Sequence, residues 1–357
     1  MLSQVDYIWM DGAKPTKKLR SKKRIVFHDD KLTLNQIPQW SYDGSSTYQS
    51  DGSDSDLILD PVCLVKDPVT KGENNYLVMC EVFAADGSPH PTNTRAKLRH
   101  LIAEYGEVCE PWFGFEQEYT LFRGHTPLGW PKGGYPAPQG PFYCGVGADE
   151  TFGRELVEAH AKACLDAGLM LYGTNAEVMP GQWEFQIGYR GVEGESADPL
   201  TVSDHLWLAR YLLYRLGEGF NIVAKLHPKP MKGDWNGAGN HTNFSTRSMR
   251  DPKTGMTAIK IAIDALQKAH DEHIKVYGAD LEERLTGAHE TCHISEFRAG
   301  VSDRGASVRI PRQVANNGYG YLEDRRPGAN ADPYEVSTVL MSTVCPLLAK
   351  ESAGASA

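Results

Sequence analysis

Alternating hydrophobic and polar positions in the first 90 residues predict a series of short β-strands. Four runs rich in β-branched and aromatic residues are separated by turn residues, namely "DYIWMDG", "KRIVFHD", "DLILDPVCLVKD" and "NYLVMCEVF". A stretch of Ser, Asp and Gly from Gln39 to Asp56 lies among them and is longer than a simple connection requires. We therefore predict a small sheet domain, residues 1–90, with a boundary near Pro89 to Pro91.

Beyond this boundary the hydrophobic period changes to that of helices. Apolar residues at helical spacing predict a helix that Thr94 caps and Gly106 stops. Similar spacing predicts helices at 153–167, 203–216 and 257–277, with strands between them. Residues 91–357 are thus predicted to form a larger second domain, whose small-residue tail, 351–357, is expected to be frayed.

Composition narrows the range of partners and compartments. The 357 residues include 46 acidic and 37 basic side chains, a net charge of -9, and "KPTKKLRSKKR" is the main basic block. This balance argues against nucleic acid as a partner. No apolar run is long enough for a bilayer, and the N-terminus has no signal-peptide pattern, so we expect no membrane contact. Seven cysteines without a CxxC pair are typical of reduced thiols, which predicts a cytoplasmic protein.

Candidate chemistry first appears in "FGFEQEYTLF", where two glutamates lie within a strand pattern. Because residues i and i+2 of a strand point to the same face, Glu116 and Glu118 are predicted to lie side by side. Two close carboxylates repel each other unless a cation or a shared proton compensates. Taken alone, the pair is also compatible with a solvated strand face.

Further acidic residues follow in patterns that could converge on the same point. In "NAEVMPGQWEFQ" a Pro-Gly turn separates two strand-like arms that carry Glu177 and Glu184. His241 follows a Gly-rich segment and Glu323 lies in "YLEDRRP". An isolated histidine is more often structural than a ligand, but a set dominated by carboxylates favours Mg²⁺ or Mn²⁺ over zinc.

Four arginines, Arg284, Arg304, Arg309 and Arg325, suit an anionic substrate. Together with a divalent metal they would suit a nucleotide polyphosphate. The sequence has no GxxxxGK[ST] loop and no kinase "HRD" or "DFG" motif. From the residues alone, metal-dependent phosphoryl transfer is the furthest prediction.

The ordered motifs resemble the glutamine synthetase family, in its shorter type II form of eukaryotes and some bacteria. The similarity covers nearly the whole chain, through "WSYDGSST", "PWFGFEQEYTLF", "GPFYCGVGAD", "GTNAEVMPGQWEFQIG", "NGAGNHTNFST", "RLTGAHET", "DRGASVRIPR" and "YLEDRRPGANADPY". It implies an α+β fold with a small N-terminal β-grasp-like domain and a large C-terminal domain of the glutamine synthetase/guanido kinase type. It also implies ATP-dependent joining of glutamate and ammonia through γ-glutamyl phosphate.

The resemblance assigns roles to individual residues. For two or three Mg²⁺ or Mn²⁺ ions, it implies one site near glutamate, formed by Glu118, Glu177 and Glu184, and one near the ATP phosphates, formed by Glu116, His241 and Glu323. It implies that glutamate is held by Asn236, Gly237, Arg284, Arg304 and Arg325. It implies that ATP contacts Glu116, Glu184, Asn243, Ser245, Arg304, Arg309 and Tyr321.

The catalytic assignments also follow from the resemblance, which implies catalytic roles for Arg304 and Arg325 as well. Glu290 of "GAHET" matches a mobile residue that covers the acyl phosphate, and such a cover is needed because water would destroy the intermediate. Asp43 of "YDGSS" matches the residue that deprotonates ammonium, with Ser46 in the same loop. The family completes each active site with the small domain of a neighbouring subunit, which implies a homo-oligomer of two stacked pentameric rings.

Two rival functions and two departures accompany this interpretation. A related ligase for a larger amine would keep the metal and ATP residues, whereas a silent structural protein of this fold would not need them. The segment "IGYRGVEGESADPLTVSDHLW" is several residues longer than the family pattern and could alter substrate access or ring contacts. The adenylylation motif of the longer bacterial enzymes is not visible.

Overall fold

The computed structural model describes the backbone of residues 1–354 and the side chains of residues 1–351. Two β-sheets and a set of helices make up this part of the chain. The strands are β1 Leu2–Met10, β2 Leu19–Phe27, β3 Trp40–Asp43, β4 Asp56–Lys66, β5 Asn75–Phe83, β6 Trp112–Arg123, β7 Thr126–Pro127, β8 Leu171–Ala176, β9 Gln182–Gly188, β10 Val223–Lys225, β11 Asn240–Ser245, β12 Ala299–Val301, β13 Val308–Ile310 and β14 Leu322–Asp324. The α-helices are α1 Thr94–Cys109, α2 Arg154–Asp166, α3 Pro199–Phe220, α4 Arg247–Arg250, α5 Gly255–Lys268, α6 His270–Ile274, α7 Leu281–Arg284, α8 Arg312–Asn317 and α9 Pro333–Gly354.

The first sheet has the strand order β2-β1-β5-β4-β3, and the four runs predicted as strands all lie in it. Its β1 and β5 are parallel, and its other pairs are antiparallel. Side chains of β1 alternate between two cores: Tyr7 and Trp9 pack in a small cluster of this sheet, and Ile8 and Met10 pack in the main core. This sheet is therefore buried on both faces.

The second sheet has the order β12-β13-β14-β11-β6-β9-β8, with β7 and β10 also paired to β6. Odd-numbered residues of β6 pack in the main core, including Phe115 and Tyr119. Beneath them, the buried Gln117 side chain accepts hydrogen bonds from the guanidinium of Arg210 in α3. The even-numbered residues of β6 consequently face the opposite side of the sheet.

The predicted limits of α1 were wrong at both ends. Asn93, not Thr94, caps the helix, and its side chain accepts a hydrogen bond from Ala96 N. The Thr94 hydroxyl instead donates to Asp332 at 2.6 Å, a contact that no local pattern reveals. Gly106 lies inside the helix, which ends at Cys109 and is followed by Glu110 in a left-handed conformation.

The remaining helix predictions differ in accuracy. The helix predicted at 153–167 is confirmed as α2. The helix predicted at 203–216 is longer and spans Pro199–Phe220 as α3. It begins earlier because Asp198 caps it and Pro199 suits its first turn. The helix predicted at 257–277 was wrong in its extent, since α5 and α6 are separated at Ala269.

Helix α9 forms the C-terminal end of the described chain. Helix α9 continues through Gly354, so residues 351–354 of the predicted frayed tail are helical, whereas residues 355–357 lie outside the described part of the chain. Among the described residues, no helix is both long and apolar enough to cross a bilayer.

Candidate active site

The register of the second sheet gathers the predicted acidic residues on one face. Glu118 lies opposite Glu184 of β9, and Glu116 lies opposite His241 of β11. Directly opposed residues point to the same face of a sheet, so the four side chains converge. By the same register Asn243 lies opposite Glu323 of β14, which in turn lies opposite Arg309 of β13.

Glu177 reaches this face from the turn between β8 and β9. Its backbone N donates to Gln182 O at 2.9 Å, which closes the turn around Pro180 and Gly181. The φ angle of Gly181 is +76°, and a Cβ at this position would lie 2.6 Å from Leu128 O. The glycine thus allows the hairpin to place Glu177 beside the β-strand carboxylates.

A polar cavity of about 150 Å³ covers this face of the sheet. Eleven of the predicted site residues line it: Glu116, Glu118, Glu177, Glu184, Asn236, Gly237, His241, Arg284, Glu290, Arg304 and Arg325. A Cβ on Gly237 would lie 2.7 Å from both Pro228 O and Arg284 Cγ, so the backbone approaches the cavity only because the residue is glycine.

Burial and mutual repulsion perturb the cavity carboxylates strongly. Burial and the nearby Glu118 raise the pKa of Glu177 to about 8, and the same two causes, with Glu116, raise that of Glu184 to about 9. Burial also raises the pKa of Glu118, although Arg284 and Arg325 oppose it. The cluster contains more carboxylates than its arginines can pair with, and the raised pKa values mean that some of them hold protons which an added cation could displace.

Two sets of ligand atoms are close enough to hold a metal ion. In each set the atoms lie within 4.8 Å of one another: one is Glu116, His241 and Glu323, and the other is Glu118, Glu184 and His241. The first set has the same members as the triad that the family resemblance implies for the phosphate side. His241 belongs to both sets and Glu177 to neither; the Glu177 carboxylate accepts hydrogen bonds from Asn175 Nδ2 and Val178 N.

Buried Arg284 contacts His241 and holds the segment behind it. Its Nη1 donates to Arg325 O at 3.0 Å, and its Nη2 lies 3.0 Å from His241 Nε2. Burial lowers the pKa of this arginine to about 10. Burial also lowers the pKa of His241 well below its usual value, with Arg325 adding to the effect, so the imidazole is neutral and can act as a ligand.

The other arginines are paired with glutamates around the cavity. Glu323 accepts from Arg325 at 2.5 Å and from Arg309 at 2.7 Å, and Arg304 pairs with Glu290. Burial opposes the charge of Arg309, but its bond to Glu323 prevails and raises its pKa. These pairs keep guanidinium groups beside the cavity, where an anionic ligand could replace a glutamate side chain as the partner of an arginine.

A groove of about 680 Å³ adjoins the cavity and shares Glu116, Tyr143, Asn175 and Glu184 with it. The groove also contains Asn243, Ser245 and Tyr321, the residues assigned to ATP, together with aromatic side chains such as Trp112 and Tyr189. Asn243 Nδ2 donates to Glu116 at 2.8 Å. The acidic cluster thus lies at the junction of a small polar cavity and a large, partly aromatic groove.

Asp43 is the one predicted catalytic residue that does not line this cavity among the described residues. It ends β3, and the loop predicted at Gln39–Asp56 therefore contains a short strand and a 3₁₀ turn, 44–47. Its exposed carboxylate accepts bonds from Ser45 and Ser46, which hold its pKa at about 2. The group is ionised and free to meet a cation.

Several known proteins similar to this chain are glutamine synthetases. The family model for the β-grasp domain of glutamine synthetase matches residues 1–85. A glutamine synthetase of Streptomyces viridochromogenes is 54% identical over 98% of this chain and 99% of its own length. The chloroplastic enzyme of Chlamydomonas reinhardtii is 55% identical over 95% of this chain and 90% of its own length, and that of Agaricus bisporus is 52% identical over 95% and 92%.

The chain belongs to the glutamine synthetase family. The cryo-EM structure of Plasmodium falciparum glutamine synthetase covers 98% of the chain with a TM-score of 0.76, while the chain covers 72% of that structure. At 17% identity this neighbour supports the fold alone. The expected α+β fold with an N-terminal β-grasp domain is confirmed.

Several residues near the cavity were missed by reasoning from the sequence. Tyr143, Asn175, His289 and Thr291 line the cavity, and Gln186 donates to Glu184. All lie within motifs that carried the resemblance, but only their positions relative to the carboxylates reveal a role. A neutral polar residue has no charge or spacing signature of its own.

Proposed function

We propose that this chain catalyses the ATP-dependent synthesis of glutamine from glutamate and ammonia. The terminal phosphoryl group of ATP passes to a γ-carboxylate oxygen of glutamate and leaves ADP. Ammonia then attacks the acyl carbon and expels phosphate. The observation that supports this proposal is the acidic cluster at the junction of cavity and groove, because a small amino acid in the cavity and a nucleotide in the groove would share its carboxylates as metal ligands.

We propose that Mg²⁺ or Mn²⁺ binds at this cluster, two or three ions per site. Glu116, His241 and Glu323 would hold the ion on the phosphate side, and Glu118, Glu177 and Glu184 the ion on the glutamate side. The excess of buried carboxylates fits such ions, as their raised pKa values indicate. Ions held there would supply positive charge that offsets the charge of the phosphate oxygens.

The chain's own residues bind and orient the substrates. Asn236, Gly237 and the Arg284 side chain form the cavity wall where glutamate would lie, and Arg325 would face its γ-carboxylate. Arg304 and Arg309 would stabilise charge on the transferred phosphoryl group. Asn243, Ser245 and Tyr321 would contact the nucleotide, and Glu290 would exclude water from the acyl phosphate.

Asp43 would bind ammonium and remove its proton. In the described part of its own chain Asp43 does not line the cavity, which supports a site that is completed by a neighbouring copy, in a homo-oligomer of two stacked pentameric rings. The same proposal divides the chain into residues 1–90, which supply Asp43, and residues 91–357, which supply the cavity. We place the protein in the cytoplasm.

The test is ATP-dependent phosphate release with glutamate, measured alongside glutamine formation, for ammonium and a panel of larger amines such as ethanolamine and polyamines. We expect ammonium to give the fastest turnover and one phosphate per glutamine. Faster turnover with a larger amine at equal concentration would instead identify the ligase for larger amines. No product with any amine would refute the proposal.

A further inference from the structure

The segment that carries Glu290 has a backbone conformation that needs external support. Gly287, His289 and Glu290 all have positive φ angles, of 81°, 51° and 63°. Two consecutive non-glycine residues in this region are unfavourable, and such conformations persist where surrounding contacts fix them. The segment is closed at its base by a bridge between Thr286 and His293. Contacts at its tip must therefore hold it over the cavity.

One of these contacts comes from the loop between β7 and α2. Gln139 Nε2 lies 3.3 Å from His289 Nδ1, and Gln139 Oε1 accepts from Asn236 N at 2.7 Å. A single amide thus bridges the segment of Glu290 and the turn that forms the proposed glutamate site. On its far side, His289 Nε2 lies 3.1 Å from Asp234 Oδ1.

Hydrogen-bond chemistry fixes the orientation of this bridge. The backbone N–H of Asn236 can only donate, so the oxygen of Gln139 must face it and the Nε2 group must face His289. Nδ1 of His289 then accepts, and its Nε2 carries the proton toward Asp234. In this series of hydrogen bonds from Asn236 to Asp234, each donor therefore faces one acceptor.

The loop that carries Gln139 is itself anchored on the walls of the site. Trp130 packs on Trp235, with ring centroids 4.8 Å apart. At the other end, Gly140 N donates to Val178 O at 3.3 Å, and Cys144 N donates to Ala176 O at 3.0 Å. The side chain of Gln139 is therefore placed by the glutamate turn on one side and by the β8–β9 hairpin on the other.

We propose that Gln139 is a positioning residue that couples occupation of the glutamate site to closure of the Glu290 segment. A shift of the Asn236 backbone moves the Gln139 side chain, because Gln139 Oε1 accepts from Asn236 N. The Nε2 group of the same amide then moves relative to His289, which it contacts. The Gln139 contact thus keeps Glu290 over the intermediate until amide formation. This inference rests on the proposed function, because its readout is the fate of γ-glutamyl phosphate.

The test compares Gln139→Ala and His289→Ala with the wild type in the assembled protein, measuring phosphate and glutamine in the same reaction. Loss of either contact should raise the phosphate-to-glutamine ratio roughly two- to tenfold, the range expected for one hydrogen bond. Only Gln139→Ala should also raise the KM for glutamate, since His289→Ala leaves the bond to Asn236 in place. Lys132→Ala, an exposed change in the same loop, should alter neither quantity.

The double variant makes the coupling specific. If Gln139 acts through His289, Gln139→Ala combined with His289→Ala should give a ratio no higher than the worse single variant. A ratio that stays near one in both single variants, or that multiplies in the double variant, would overturn the proposal. If the wild type makes no glutamine, it is the proposed function that fails. Should Gln139→Ala not fold, the ratio in His289→Ala alone decides.

Discussion

Asp43 and Glu184 carry the same functional group in opposite surroundings. The carboxylate of Asp43 is exposed, and hydroxyl and backbone donors of its loop hold its pKa at about 2. Glu184 is buried among three other glutamates of the site, and its pKa is raised to about 9. At neutral pH the Asp43 carboxylate is therefore ionised without a bound cation, whereas that of Glu184 holds its proton.

This difference separates two tasks within the proposed reaction. In the proposal, the buried cluster would bind a divalent cation because its carboxylates lack compensating positive charge and are shielded from solvent. Asp43 is available to a small cation such as ammonium because its charge is stabilised locally and its face is open. In the proposed reaction the two regions are complementary, although Asp43 does not line the cavity among the described residues of its own chain. The predictions below remove or weaken one side at a time.

Removal of the Asp43 carboxylate should have the largest effect. Asp43→Ala should lower the rate of glutamine formation roughly a hundred- to ten-thousand-fold, the usual range for a general base. Folding should be retained because the side chain is exposed and its bonds are to serines of its own loop. Rates with saturating ammonium test this, with Asp51→Ala, another exposed change in the same loop, as the control. Equal losses in both variants would argue for damage to the loop.

Loss of a central cavity ligand should come next. Glu118→Ala should lower activity about a hundred- to a thousandfold, because one metal loses its support. Glu118→Asp should retain a weakened site, since its carboxylate is set back by one methylene. Mn²⁺ titration by calorimetry measures both variants. Unchanged binding in Glu118→Ala would remove Glu118 from the set of ligands.

The raised pKa values predict how metal and pH act together on stability. Between the ordinary value of Glu184, near 4.5, and about 9, the folded chain binds a proton that the unfolded chain has released. In the absence of metal, this group therefore makes stability fall as pH rises through that window. Metal displaces the proton, so affinity should increase by about tenfold per pH unit for each proton released.

Thermal unfolding from pH 5 to 9, with and without Mg²⁺, measures this linkage. The rise in Tm on adding Mg²⁺ should grow steadily with pH. In Glu184→Gln, which cannot release a proton, the growth should be smaller. A rise in Tm that is independent of pH in the wild type would contradict the linkage.

The smallest effect is expected from weakening the support of Asp43. Ser46 donates to Asp43 at 2.6 Å, and Ser45 donates from both its hydroxyl and its backbone. Ser46→Ala should raise the pKa of Asp43 and lower activity by less than about tenfold, because one ordinary hydrogen bond is lost. Carbon NMR of labelled aspartate measures the shift. A loss as large as that of Asp43→Ala would give Ser46 a direct role.

The grouping of four carboxylates followed from local patterns in the sequence, whereas the roles of the other site residues were implied by the family resemblance. The i, i+2 rule placed Glu116 and Glu118 on one face, and the Pro-Gly turn placed Glu177 and Glu184 on one hairpin. These are local relations, so a single chain segment contains the information. The membership of His241 in two ligand sets depends instead on strand order, which no segment specifies.

The failures also have physical causes. Thr94 is a good capping residue, but its hydroxyl bonds to Asp332, 238 residues away, and Asn93 takes the cap. Gly106 stays helical because the helix continues to pack as far as buried Cys109. Gln139 was missed because its role depends on three loops that meet only in the fold. Tertiary contacts decided each of these outcomes.

Complementation between two inactive variants is the most direct test of the central claim, that Asp43 of one chain serves the cavity of another. Asp43→Ala and Arg304→Ala should each be nearly inactive, because one removes the base and the other a cavity cation. If the chains mix at random in one ring, a site with both intact faces arises with a probability of about one half times one half. Co-expression should therefore restore roughly a quarter of wild-type activity. A purified mixed oligomer with no more activity than the single variants would contradict the account.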